Sequence, residues 1–285
     1  MKLFLALCLV IVAIPQSSRS ADWAYGIASA GYFSNDNIAE GFFFGDFALK
    51  VEREAWGAEI GMFGVVGRLH ETYATATYTT GTDKLSFGFP RPSYDDFANS
   101  ALTAITPKLS LESIGSIRSR TTYGTMYLPE FLPYGARYSS QIGNLDYATS
   151  LHAVPGYPDV VAGGAIRLIQ GQWMVDLAAE AIVQGVRTHW NTKAQVVGDF
   201  GPITLGVGIF YPKANNQATL VEVFGRFDAS DNAQITGLVR ADTEDSPMFG
   251  LGLSQQLSSP WTLRAGLLGS DTNDLAASAN LQVQF

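Results

Sequence analysis

The sequence is poor in the residues that define several large protein classes. It has one cysteine in 285 residues, three histidines, and only 15% charged residues, of which 18 are basic and 26 acidic. One cysteine excludes a disulfide scaffold. The acidic balance excludes a nucleic-acid partner, and 47% hydrophobic residues exclude a disordered chain. Long apolar runs are also missing after the first 20 residues, so no segment there has the ~18 residues of a membrane-spanning helix. Yet the mean hydropathy is +0.10. The apolar residues must therefore be interleaved with polar ones.

The one apolar run is at the start. Lys2 precedes the apolar stretch Leu3 to Ile14, and Ser18 and Ser20 stand before Ala21 at the spacing of a cleavage site. Residues 1–20 read as a secretory signal peptide and residues 21–285 as a single domain. Cys8 would leave with the signal. An exported chain without disulfides draws its stability from size, or from a lipid environment that forces every backbone group to pair.

From Ala21 onward the dominant period is two. Leu275, Ala277, Ala279, Leu281, Val283 and Phe285 alternate with Ala276, Ser278, Asn280, Gln282 and Gln284. Trp173, Val175, Leu177, Ala179, Ala181 and Val183 likewise oppose a face that holds Asp176 and Glu180. The pattern predicts strands near 23–32, 42–52, 56–64, 73–80, 84–90, 134–141, 145–152, 159–169, 172–183, 189–199, 203–211, 217–226, 232–240, 246–256, 260–268 and 275–285. That makes sixteen, near the ~9–11 residues of a tilted membrane strand. Fourteen stays open, because 73–90 and 134–152 alternate least regularly. Tight turns such as Gly81-Thr82-Asp83 and Ile142-Gly143-Asn144 alternate with longer, acidic connections such as Phe33–Asn37 and Ser270–Asp274. The fold class expected is all-β, an antiparallel transmembrane barrel.

Trp23, Trp56, Trp173 and Trp261 each open an odd-numbered strand, which places them on one rim, with Trp190 near the other. Amphipathic rings at strand ends suit an aromatic girdle at a membrane interface.

The long connection Arg91–Pro133 breaks the alternation. Connections of that length in compact domains usually carry function. Ser93 followed by Asp96 suggests a capping box and a short helix over about 94–104. A segment of this size can fold into a wide barrel and narrow its lumen. Its acids Asp95, Asp96, Glu112 and Glu130 and its bases Arg91, Lys108, Arg118 and Arg120 would face wall residues Arg137, Arg167, Arg240, Arg264, Lys50 and Lys193. Opposed charges across a constriction set a transverse field.

Together these residues resemble the Gram-negative outer-membrane general porins, most of all those of the alphaproteobacterial type. The resemblance rests on the long connection containing Phe89-Pro90-Arg91-Pro92-Ser93-Tyr94-Asp95-Asp96 and on the terminal Leu-Gln-Val-Gln-Phe. It implies a loop that forms the pore eyelet, with Asp95, Asp96, Glu112 and Glu130 on its loop side and Arg137 and Arg167 on the wall. It implies passive diffusion of small hydrophilic solutes and ions, a homotrimer, and contact with outer-membrane lipid and lipopolysaccharide. Leu281, Val283 and Phe285 would be the signal read by the barrel-assembly machinery. No cofactor or metal is implied. Equal numbers of loop acids and bases leave the ion preference open, with a lean toward cations.

Two other functions compete. A sugar-selective channel would use Tyr123, Tyr127, Phe131 and Tyr134 around the end of the long connection. A barrel enzyme needs a nucleophile beside a histidine and an acid, but His70, His152 and His189 lie on separate segments and no Gly-x-Ser-x-Gly elbow is present. Asp242, Glu244 and Asp245 form an acidic connection that could attract divalent cations, and a solvated loop explains it equally well.

Overall fold

The structure is a computed structural model that describes residues 24–65, 70–107, 109–127, 132–157, 159–243, 247–270 and 275–285. The expected signal peptide, Trp23, Lys108, Glu130, Phe131, Glu244 and Asp245 lie outside the described residues, as does the side chain of Glu112.

Sixteen antiparallel strands close into one barrel. They are β1 (Ala24–Ser34), β2 (Ala39–Arg53), β3 (Trp56–Val65), β4 (His70–Thr80), β5 (Asp83–Phe89), β6 (Tyr134–Ile142), β7 (Leu145–Ala153) and β8 (Asp159–Gln170). The second half comprises β9 (Trp173–Gln184), β10 (Arg187–Asp199), β11 (Ile203–Tyr211), β12 (Leu220–Ser230), β13 (Ala233–Asp242), β14 (Met248–Ser258), β15 (Trp261–Ser270) and β16 (Leu275–Gln284). Every strand pairs with its sequence neighbours, and β1 closes on β16 from Ile27↔Gln284 to Ser34↔Ala277. Closure removes the free edges that an open sheet would leave unpaired. Sixteen strands, not fourteen, are present.

Alternation sorts the side chains as the period predicts. On β11, Ile203, Leu205, Val207 and Ile209 point outward and are 43% to 53% exposed. Their neighbours Thr204, Gly206 and Gly208 face the lumen. Positive-φ glycines Gly81, Gly143 and Gly171 make the tight turns at the rim where β1 begins, each at φ 60. Trp56, Trp173 and Trp261 open β3, β9 and β15 at that same rim, and Trp190 lies toward the opposite one. One connection departs from the expected alternation of lengths: Gly185 and Val186 alone link β9 to β10 at the long-loop rim.

The apolar residues do not all face outward, however. Phe42, Phe44, Phe63, Val65, Phe210, Phe224 and Leu238 point inward and form a buried cluster with Leu102, Ile105, Leu109, Ile114 and Ile117 of the long connection. The barrel therefore has an internal core, built between its wall and the loop.

Candidate functional site: the loop inside the barrel

The loop between β5 and β6 enters the lumen and crosses it. A 3₁₀ turn at Ser93–Asp95 is followed by helices α1 (Leu102–Ile105), α2 (Leu111–Ile117) and α3 (Arg120–Tyr127). The helix expected over 94–104 does not form as one unit. The Ser93 hydroxyl pairs with Ser150 on β7 at 3.0 Å instead of capping, and Ala98 takes a positive φ of 52° that interrupts helical geometry. The Ala98 N–H donates to Asp176 of β9 at 2.9 Å.

Carboxylates of the wall hold the loop's backbone. Glu222 of β12 accepts from the Ser100 hydroxyl and, at 3.1 Å, from the Ala101 N–H, ahead of α1. Glu180 of β9 accepts from Ser119 Oγ at 2.6 Å and from the Arg120 N–H at 2.7 Å, at the start of α3, and from Asn191 at 2.7 Å. These anions meet the unpaired N–H groups that any helix start exposes. Asp95, itself on the loop, accepts from the Ser119 N–H at 2.7 Å and from Thr122 Oγ1 at 2.6 Å, tying the descending and returning arms together. On the far wall, Arg264 of β15 donates to the carbonyls of Thr103 and Ala104, and Ser278 of β16 to that of Ile105 at 3.2 Å.

The charged residues expected at a constriction are mostly brought together, as close pairs. Arg91 reaches Asp46 of β2 through Nη1 at 2.9 Å, and Arg137 of β6 reaches Asp96 at 2.7 Å. Arg167 of β8 forms a two-point pair with Asp176 at 2.8 Å, beneath Phe97. Arg120 pairs with Asp159 at 3.1 Å. Separated opposite rows, as a transverse field requires, are not what these residues make; loop and wall neutralise one another. Arg118 is buried over the Phe63 ring at 4.1 Å and does not line the lumen, and Asp95 is 2% exposed. Arg240 is buried against Glu222, and Lys193 lies buried over the Tyr94 ring at 4.6 Å. Burial raises the Asp96 carboxyl above its ordinary value, against the pull of Arg137 and Arg91. Burial likewise lowers the Arg118 guanidinium, with Asp95 opposing.

On the short-turn side of the loop a polar cavity of about 560 Å³ is lined by Asp46, Arg91, Asp96, Asn99, Arg137 and Asp146, among others. The wall partners of the loop that alternation alone did not single out are Asp46, Asp176, Glu180 and Glu222. Each was visible as a charge on a polar strand face, but its loop partner lies far away in sequence. The three histidines stay apart on β4, β7 and β10; His152 is buried with Nε2 3.0 Å from the Pro90 carbonyl. Among the described residues no cluster of His, Cys, Asp and Glu is arranged to hold a metal ion.

A closed sixteen-stranded barrel with a long loop folded into its lumen is the porin architecture. A five-substitution mutant of Rhodopseudomonas blastica porin superposes with a TM-score of 0.72 at 13% identity, covering 92% of this chain and 99% of that one. A two-substitution mutant of the same porin gives 0.71 at 12% identity, with the same coverage. The chain thus has the fold of a porin of the alphaproteobacterial type. No family model and no curated protein matches its sequence.

Proposed function

We propose that this protein is a porin of a Gram-negative outer membrane, a water-filled channel for passive diffusion of small hydrophilic solutes and ions, and not an enzyme. The observation that carries this reading is the pairing of two surfaces: an outward face of Ile, Leu and Val suited to lipid, and a lumen whose loop presents Arg91, Asp96 and Asn99 to a polar cavity. Asp96 and Arg137, with Arg91 and Asp46, are the eyelet in this reading, and Trp56, Trp173, Trp190 and Trp261 the interfacial girdle.

Assembly as a homotrimer is supported by one face of the barrel. Around β16, β1, β2 and β3 many outward positions are small, including Gly26, Ala28, Gly45 and Ala279, and Phe47, Met62 and Val283 are buried among them. Such a face suits a second protein surface better than lipid chains. Phe285 closes this patch, its ring 5.9 Å from Phe47, and in our reading Leu281, Val283 and Phe285 also form the signal for the assembly machinery.

A sugar-selective channel is the second reading, favoured by Tyr123 and Tyr127. Their rings on α3 are parallel within 2° at 6.1 Å, and Tyr127 is 59% exposed. Liposome swelling separates the two. A general porin admits sugars in order of size alone, whereas a selective one admits a favoured sugar faster than smaller ones.

A further inference from the structure

If the eyelet's charges neutralise one another, the field in the lumen is set by the charges that have no partner. Among the described residues, Lys50 pairs with Glu52, Lys84 with Glu59, Arg91 with Asp46, Arg137 with Asp96 and Arg167 with Asp176. All of these lie on β2 to β9 or on the loop beside them. The opposite wall carries two arginines of another kind.

Arg226 of β12 faces the lumen over the ring of Phe224, 5.3 Å from its centroid, and meets no carboxylate among the described residues. Its neighbours across the ladder, Thr204 and Thr236, are neutral. Arg264 of β15 donates to Gln282 Oε1 at 3.0 Å and to the loop carbonyls of Thr103 and Ala104, all uncharged acceptors, so its charge too is uncompensated. Its ladder neighbours Ser254 and Asn280 are neutral. The row through Arg226 runs by Thr236 and Gly252 to Gly266, one inward position from Arg264, so both arginines belong to one stretch of wall. Both are partly exposed. Of the acids on β12 and β13, Glu222 is taken up by Arg240 and the loop, Asp242 ends β13 at the long-loop rim, and Asp228 sits at the short-turn rim and accepts from Gln234 at 2.9 Å. Across the lumen Asp146 is the cross-strand neighbour of Arg167.

We propose that Arg226 and Arg264 form an anion-attracting site on the β12 to β15 wall, and that this site, rather than the loop, sets the charge preference of the channel in favour of small anions such as chloride, carboxylates and phosphate. The inference rests on the channel reading. A cation in a narrow aqueous passage concentrates anions and repels cations, and a paired charge does neither at a distance. The chain's overall acidity is a poor guide here, because Asp46, Asp96, Asp159, Asp176 and Glu222, on or beside the loop, are each paired with an arginine.

The test is the zero-current potential of the purified protein in planar bilayers under a potassium chloride gradient. The wild-type channel is expected to favour chloride. Arg226→Ala is expected to lower the chloride-to-potassium ratio roughly sevenfold, because one unit charge about 7 Å from an ion in water-like dielectric favours chloride and disfavours potassium by about threefold each. Arg226→Lys, which keeps the charge, restores the ratio and guards against a folding defect in the alanine variant. Arg226 is the position to change, since Arg264 also holds the loop. A cation-preferring wild type, or an unchanged potential in a conducting Arg226→Ala channel, overturns the proposal while leaving the channel reading intact. Absence of any wild-type conductance overturns both.

Discussion

Gly266 of β15 is the floor on which Ile105 of the loop rests: a side chain at Gly266 would run into the Ile105 carbonyl oxygen. Gly250 and Gly252 of β14 receive the same isoleucine. The far end of the loop is therefore seated in a depression that only glycine leaves open, on the wall opposite the Ser93–Ser150 contact.

Replacing Gly266 with Val should lift that end of the loop. Overpacking of this kind costs about 1–3 kcal/mol. The expected outcome is a lowered unfolding midpoint in urea together with an altered single-channel conductance; a loss of stability with conductance unchanged would mean that this end of the loop does not shape the path.

Glu222 should matter far more than its place on a strand suggests. Replacing it with Ala leaves Arg240 buried without its acid and removes the acceptor for Ser100 and the Ala101 N–H. Breaking one side of a buried pair costs about 3–5 kcal/mol. Glu52→Ala, which removes a half-exposed partner of Lys50, should cost below about 1 kcal/mol. Equilibrium unfolding of the two variants in lipid checks the contrast, and equal losses would count against the buried lock.

Acidification should act on Asp96 before it acts on exposed carboxylates. Its carboxyl titrates above the ordinary carboxylate value because it is buried, so it takes up a proton while most exposed acids are still charged. Protonation frees the charge of Arg137. Preference for anions should therefore rise as pH falls, beginning at a higher pH than the titration of exposed carboxylates, and Asp96→Asn should show the raised preference already at neutral pH. Zero-current potentials measured across pH in both proteins decide it.

Phe285 joins the barrel's last rung, donating its N–H to Gly26 at 3.1 Å and accepting from the Gly26 N–H at 2.9 Å, with its ring on Phe47. Phe285→Ala keeps those backbone bonds but loses the ring. The expected outcome is export at the wild-type level with a reduced fraction of heat-resistant, membrane-inserted protein. A normal fraction would remove this residue from the assembly signal.

The barrel was legible because its information is local. Period-two alternation and turn glycines such as Gly81, Gly143 and Gly171 need only neighbours in sequence to be interpreted, and they placed all sixteen strands. The loop was not, because its structure is imposed from outside. The stretch Arg120–Tyr127 carries three threonines and a glycine, poor helix formers, and its start is held by Glu180, which no local pattern reveals. Ser93 had the form of a cap but found a partner on β7. One signal was present and telling: Phe42-Phe43-Phe44 and Met62-Phe63 break the alternation by being apolar on both faces, as strands must be where a folded loop covers their inner side. Whether a lumen charge has an acidic partner among the described residues, as Arg137 does and Arg226 does not, depends on contacts between distant segments that alternation does not reveal.

The central claim is that the space between the loop and the wall conducts. Purified protein incorporated into a planar bilayer should produce discrete, stepwise conductance increments in potassium chloride, arriving in groups of three if the small-residue face of β16 to β3 makes a trimer. A folded, heat-resistant protein that inserts into the bilayer and yields no steps would contradict the account.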